Sequence, residues 1–362
     1  MASATSSNLF KPIQLGNKTL KHRVAMAPLT RFRADDDHVP TDLSKTYYEQ
    51  RASDGGLIIT EATFISEQAG HYPNVPGIWS NDQIKAWKKI TDAVHVKGGI
   101  IYLQLWHLGR ADGVPNVSAS AIALPTAEGK EPNVPRALET SEIPQIVDQY
   151  KQAALNSIEA GFDGVVIHSA NGYFLDQFLQ SNSNKRTDKY GGSAENRARI
   201  VLETIEAVSN AVGQERTAIR FSPYSHFQDM HDANPVETFS LLTQAVQDRF
   251  PNLAYLHFVE PRISGDSDAE HDSAQSLKPF HDIWKGVFLR AGGLTLESAI
   301  AAAEKNEKEV LVFGRAFLAN PDLPLRFKNG WELNQYKRDT FYANKSPVGY
   351  IDYPFYSEKT QA

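Results

Sequence analysis

A chain of 362 residues with 41% hydrophobic and 22% charged residues has the ordinary composition of a folded globular protein, and α/β barrels of this length form a single domain. Its formal net charge of -6 supplies no basic footprint for a nucleic-acid backbone. With no cysteine there is no disulfide, no thiolate nucleophile and no cysteine-ligated iron–sulfur cluster.

Residues 1–8 are small and polar and lack the apolar core of a signal peptide, and no apolar run approaches membrane-span length. They predict a disordered start to a cytoplasmic protein that engages no membrane. Residues 10–23 alternate about Gly16-Asn17, which reads as a hairpin able to plug the bottom of a barrel. A first strand over 24–30 ends in Pro28-Leu29-Thr30, and a helix follows over 42–53. The second strand spans 56–65, its apolar part stopping at Thr60-Glu61-Ala62. Asp82 is the expected cap of a helix over 82–97, in which Ile84, Trp87, Ile90 and Val94 recur at three- and four-residue steps. Gly98-Gly99 ends it, and a third strand covers 100–106.

Residues 109–140 show no period and recurrent Pro and Gly, as expected of a functional excursion such as a lid or pocket wall. A helix over 141–160 restores the pattern, with Gly161 just past its end. The fourth strand begins at Gly164. Val165, Val166 and Ile167 are β-branched and suit a strand buried on both faces. That run stops at His168, with Asn171 three residues on and Tyr173 two beyond, a spacing that lets His168 and Asn171 point the same way on a tight turn. Then come a helix over 193–212, a strand over 217–223 and a helix over 235–249. A strand over 253–259 precedes a weak helix over 274–284, and a strand over 287–291 runs into Gly292-Gly293. A helix over 296–304, a strand over 309–313 closing on Gly314-Arg315 and a helix over 322–329 complete the pattern. Eight alternations predict an α/β fold of the (β/α)8 TIM-barrel type, one domain over 9–356 with a tail at 357–362.

In such a barrel the carboxyl ends of the strands face substrate. Those ends are Thr30, Ala62, Gln104 with Trp106, His168, Arg220, Glu260, Gly292-Gly293 and Gly314-Arg315. Glycine turns after strands seven and eight are where this fold commonly holds a phosphate, and Arg315 adds a fixed cation. No strand ends in lysine, which disfavours Schiff-base chemistry. His107, His168 and His257 lie among amides rather than carboxylates, so no metal site is expected. Neither a dinucleotide fingerprint nor a P-loop occurs. Neutral donors and acceptors with one cation around an apolar slot match a flat heterocycle with imide-like edges, such as a flavin, better than a sugar phosphate. A non-redox barrel with His168 as general base and a flavin-storing protein without turnover stay open on this reading.

Several longer motifs then come together: Pro28-Leu29-Thr30-Arg31, Thr60-Glu61-Ala62, Gln104-Leu105-Trp106, His168-Ser169-Ala170-Asn171-Gly172-Tyr173, Tyr190-Gly191-Gly192-Ser193, Ser222-Pro223-Tyr224 and Gly349-Tyr350-Ile351-Asp352-Tyr353-Pro354. In that order they resemble the old yellow enzyme family of flavin mononucleotide (FMN) ene-reductases, from about Leu9 to Tyr356. The resemblance implies tightly but non-covalently bound FMN, NADPH as reductant, and an electron-poor alkene as substrate. Pro28, Leu29, Thr30, Ala62, Gln104, Arg220, Gly292, Gly293, Gly314 and Arg315 would hold the cofactor. His168 and Asn171 would bind the activating oxygen of an α,β-unsaturated carbonyl or nitroalkene, hydride would reach the β-carbon, and Tyr173 would protonate the α-carbon. Trp106, Phe227 and Tyr350 would wall the substrate pocket, while Glu61, Glu260 and the 190–197 segment read as structural and Arg31 as a loop charge. An isomerase-type or biosynthetic relative acting on a specialised enal or enone is the alternative, and a monomer and a homodimer are both compatible.

Overall fold

The apolar runs form eight parallel strands in a closed barrel, adjacent in chain order: β1 Val24–Met26, β2 Leu57–Phe64, β3 Ile100–Trp106, β4 Gly164–Ser169, β5 Thr217–Phe221, β6 Tyr255–Val259, β7 Phe288–Ala291 and β8 Glu309–Phe313. The computed structural model describes residues 6–112, 116–127, 129–265, 267–270 and 275–356. Closure pairs β8 with β1 and leaves no sheet edge. None of the helices is long and apolar enough to cross a membrane among the described residues.

Period-two alternation sorts the strand residues into two cores. Leu57, Ile59, Tyr102, Val166, Ala218, Tyr255, Leu289 and Val310 fill the barrel interior. Ile58, Leu103, Ile167, Ile219, Phe258 and Leu311 face the helical ring. The ring includes Asp42–Arg51, Asn81–Val96, Ile143–Glu159, Ala194–Val212, Pro235–Arg249, Lys278–Ile283, Leu296–Lys305 and Leu323–Asn329. The hairpin Ile13–Leu15 with Lys18–Leu20 plugs the lower end, and Leu15 and Leu20 join the interior core with no exposure.

Several boundaries differ from expectation for local reasons. Ser80, not Asp82, caps the second helix, since its hydroxyl accepts from the Gln83 N–H while the Gln83 side chain accepts from the Ser80 N–H. Residues 6–8 are not disordered: Ser7 caps a turn of 3-10 helix at Asn8–Phe10, and the Asn8 N–H donates to Glu304 Oε1 at 2.7 Å. Residues 1–5 and the tail at 357–362 lie outside the described residues. The weak helix expected over 274–284 shrinks to Lys278–Ile283. Two short helices, Phe174–Leu179 and Arg315–Ala319, follow β4 and β8 after brief turns and are too short to show a period. Within the excursion after β3, Val117–Ser118 pairs parallel with Arg136–Ala137.

Arg31 is not a surface charge. It is fully buried, donating from Nε to Phe341 O at 3.1 Å and from Nη2 to Gly349 O at 2.7 Å. Arg33 adds bonds to the carbonyls of Thr340 and Val348. Both guanidinium groups lie over the Tyr350 ring, at 5.0 and 4.8 Å from its centroid, and that ring stacks on Tyr47 at 4.1 Å. The C-terminal strap is thereby folded back over the barrel mouth.

Because Leu15 fills the lower end of the barrel, Leu15→Ala is expected to destabilise by about 2–5 kcal/mol. Val96→Ala, at a position 88% exposed, should change stability by less than about 0.5 kcal/mol. Urea unfolding followed by far-UV circular dichroism checks both, and equal midpoints for the two variants would refute the plug.

Candidate active site

The carboxyl ends of the strands open into one cavity of about 720 Å³, within the range of small-molecule and cofactor sites. It is lined by Pro28, Leu29 and Thr30 after β1, by Ala62, Gln104 and Trp106 from β2 and β3, and by His168, Asn171 and Tyr173 from β4 and its loop. Arg220 and Phe227 line it beyond β4, and Gly292, Gly293, Gly314 and Arg315 close its far end. One expected wall residue is elsewhere: Tyr350 is fully buried between Tyr47 and the two arginines, and the strap presents Phe341 and Tyr342 to the cavity instead.

Strand register explains the grouping. A register shift between Ile59 and Ala62 inserts Thr60-Glu61 as a bulge and brings Ala62 level with Gln104. The Thr60 hydroxyl accepts from the Gln104 N–H at 3.2 Å. Glu61 turns away and accepts from the Arg31 N–H and the Tyr48 hydroxyl; burial lifts its pKa to about 7. This structural placement separates Glu61 from the cavity lining. Further round, His168 pairs with Arg220 and Arg220 with His257, so three basic side chains share one level of β4, β5 and β6.

Among the described residues no acid neutralises that level: Arg220 Nε has no hydrogen-bond partner, and the groups that support its charge are the Tyr173 and Tyr255 phenols. Burial lowers its pKa to about 10, which leaves it cationic at neutral pH. Burial, and next the Arg220 charge, hold His168 well below the ordinary imidazole range; His257 is lowered by burial, Arg220 and His168. Both imidazoles are therefore neutral at pH 7. Burial also pushes the Tyr173 phenol up, so it remains protonated.

The three expected substrate-contacting side chains meet. The Tyr173 ring stands edge-on to His168 at 5.1 Å and to Trp106 at 4.8 Å, with interplanar angles of 75° and 85°. Asn171 takes a positive φ of 55°, which turns the chain sharply after the strand, and its N–H donates to Ser222 Oγ at 2.7 Å. Gln104 Nε2, His168 Nδ1 and Asn171 Oδ1 are buried without a partner. Unsatisfied buried polar atoms of this kind are rare unless a ligand completes them.

The far end suits an anion. Gly293 takes a φ of +56°, and a side chain there would collide with the Arg262 guanidinium. Arg315 pairs with Asp268 at 2.9 Å. Two cations thus flank the glycine turns. Arg262 was missed in the sequence because it lies beyond a strand end, in a loop whose direction alternation does not fix. Tyr72, Phe341 and Tyr342 escaped for the same reason, and the only hint was the density of aromatics near residue 341. His107, by contrast, packs away from the cavity against Phe174 at 4.4 Å, where burial lowers its pKa to about 3.

The sequence matches the NADH:flavin oxidoreductase / NADH oxidase family over residues 8–334. It is 45% identical to 12-oxophytodienoate reductase 1 of Oryza sativa subsp. japonica, covering 99% of this chain and 96% of that protein. It is 46% identical to the NADP-dependent oxidoreductase lnbE of Aspergillus flavus, covering 96% of each. The fold superimposes on the crystal structure of Old Yellow Enzyme from Pichia sp. AKU4542 with a TM-score of 0.90 and 40% identity, over 97% of this chain and 94% of that one. A flavin-dependent oxidoreductase displaces the non-redox reading of the glycine turns, and the chain belongs to the old yellow enzyme family.

Proposed function

We propose that this protein is an FMN-dependent ene-reductase that uses NADPH to saturate the C=C bond of an α,β-unsaturated carbonyl compound or nitroalkene. The supporting observation is the arrangement of a protonated phenol against a neutral imidazole at a cavity whose only unpaired charge, among the described residues that line its inner level, is the Arg220 cation. The name of the Aspergillus relative supports NADP(H), and that of the rice relative supports a substrate that carries an oxo group and C=C bonds.

The residues fit FMN. Gln104 Nε2 and Arg220 Nε offer unsatisfied donors to a heterocycle edge, while Thr30 and Ala62 line the same space. The Gly292-Gly293 and Gly314-Arg315 turns, with Arg262 beside them, would take the phosphate, and the number of such contacts supports tight non-covalent binding. When bound, the flavin supplies two-electron hydride chemistry between nicotinamide and alkene. Arg220 would stabilise negative charge on the bound ring.

On the substrate, hydride addition at the β-carbon moves electron density onto the carbonyl or nitro oxygen. Hydrogen bonds from His168 and Asn171 would stabilise that oxygen, and neutral His168 donates without giving up its proton. Tyr173 then transfers the phenolic proton to the α-carbon, which balances the added hydride, and regains one from solvent. A pKa raised by burial keeps the phenol loaded and makes it a weak acid, enough for a strongly basic enolate-like carbon. This retained acid favours net reduction over isomerisation.

Anaerobic stopped-flow of the two half-reactions tests the reading. Tyr173→Phe is expected to slow reoxidation by 2-cyclohexenone by about 10²- to 10⁴-fold while flavin reduction by NADPH stays close to wild type. Equal losses in both would remove Tyr173 from the proton-transfer step. His168→Ala combined with Asn171→Ala should weaken phenol and enone binding together, by about 10²-fold or more, and unchanged phenol-induced spectra would refute the oxygen-binding assignment.

The depressed His168 pKa adds a pH prediction. The imidazole stays neutral as pH falls through its ordinary value of about 6.5, so affinity for a neutral carbonyl ligand should be flat from about pH 6 to 8. A break near pH 6.5 in a spectroscopic titration would mean that His168 protonates there.

A further inference from the structure

The excursion after β3 is long enough for a lid or a pocket wall, yet none of its described residues lines the cavity. It reaches instead the back of the turn that carries Asn171 and Tyr173, through one carboxamide. Gln177 lies in the short helix that follows this turn and has no exposure. Its Nε2 donates to Leu108 O at 3.0 Å and to Gly172 O at 2.8 Å. Its Oε1 accepts from the Arg110 N–H at 3.0 Å and from the Ser118 hydroxyl at 2.8 Å. A carboxamide has two N–H donors and two lone pairs, so every one is used. The fit is close on the β3 side too: Gly109 has a φ of +60°, and a Cβ there would lie 2.1 Å from Gln177 Oε1. Ser118 in turn belongs to the segment that pairs with Arg136–Ala137, so both arms of the excursion bear on this contact.

The turn itself is held at successive peptide groups. Gly172 stands between Asn171 and Tyr173; Gln177 donates to its carbonyl, and Asp176 accepts from its N–H at 2.8 Å. Gln228 Nε2 donates to Asn171 O at 2.9 Å. Arg110 joins the two carboxamides, because its N–H meets Gln177 while its Nη2 donates to Gln228 O at 3.1 Å. Asp176 acts within its own helix, whereas Gln177 ties the turn to the loop after β3 and to the excursion. Loss of its carboxamide would leave four buried polar groups without this partner, a cost that the turn can relieve only by moving. A shift of about 1 Å in a group that meets substrate costs about a hundredfold in rate.

We propose that Gln177 is a positioning residue, which fixes the Gly172 peptide against the loop after β3 and so sets the places of Asn171 and Tyr173 relative to substrate. This rests on Asn171 binding the substrate oxygen and on Tyr173 being the proton donor. The excursion after β3 thereby acts on the reaction from behind the cavity wall, through Arg110, Ser118 and this one side chain.

A double-mutant cycle on the FMN-loaded protein tests this, with single-turnover reoxidation by 2-cyclohexenone as the rate and phenol-induced spectral change as the binding readout. Gln177→Leu is expected to slow reoxidation by about tenfold to a hundredfold and to weaken phenol by about tenfold. FMN affinity should stay within about twofold, because the groups that would hold the cofactor lie on other strands. In a background that carries Asn171→Ala and Tyr173→Phe, the same substitution should slow reoxidation by less than about twofold. A residue that only stabilised the fold would lower the unfolding midpoint and leave the constants of the loaded protein as they were. Unchanged constants, equal slowing in both backgrounds, or an FMN affinity lost by more than about tenfold would each overturn the proposal. If Asn171→Ala with Tyr173→Phe by itself leaves reoxidation fast and phenol tightly bound, the reading of the site fails first, and the cycle separates the two outcomes. Should Gln177→Leu not fold, Gln177→Glu keeps the acceptor for Arg110 and Ser118 but has at most one donor for the Leu108 and Gly172 carbonyls, and it is read by the same criteria.

Discussion

An unpaired guanidinium inside a barrel is the constraint on which the site depends. Arg220 projects from β5 into the cavity, two imidazoles share its level, and among the described residues the groups that support its charge are two phenols rather than carboxylates. An uncompensated charge in a partly desolvated position is costly. The barrel around it is closed, with every strand paired on both sides. Burial, and next that one cation, keep His168 and His257 neutral, so the site presents hydrogen-bond donors rather than a second positive charge. The flavin used by the family fits such a site, because its ring gains negative charge on reduction.

The rest of the architecture serves that level. Alternation along parallel strands aims Gln104, His168 and Arg220 inward, and the bulge at Thr60-Glu61 restores the phase that brings Ala62 to the same surface. The C-terminal strap, tied down by Arg31 and Arg33, closes one side with Phe341 and Tyr342. The strap is held through its backbone carbonyls and the Tyr350 ring, so this anchorage does not rest on the Phe341 and Tyr342 side chains that face the cavity.

The barrel could be read from periodicity because both faces of each strand are buried, which makes apolar runs such as Val165-Val166-Ile167 easy to see. β3 and β8 coincide with their expected limits for this reason. Residues at strand ends were legible too, since the fold itself dictates that Gln104, His168, Arg220 and the two glycine turns converge. What lay beyond was not. Tyr350 belongs to a motif near the mouth, yet a ring that two arginines and a tyrosine can sandwich gains more from burial there than from facing solvent. Arg31 carries a charge and follows a strand end, and nothing local reveals that carbonyls more than 300 residues away will satisfy it. Arg262 and Gln228 lie in loops whose paths depend on tertiary contacts with Gly293 and Arg110.

The most direct measurement is a titration of the flavin-depleted, folded protein with FMN and, separately, with riboflavin, followed by flavin fluorescence and visible absorbance. A cavity with a lone inner cation and arginine-flanked glycine turns predicts a yellow protein that saturates at one FMN per chain and binds riboflavin far more weakly. Folded protein that stays colourless and takes up no FMN, or that binds the two flavins equally, would contradict the account.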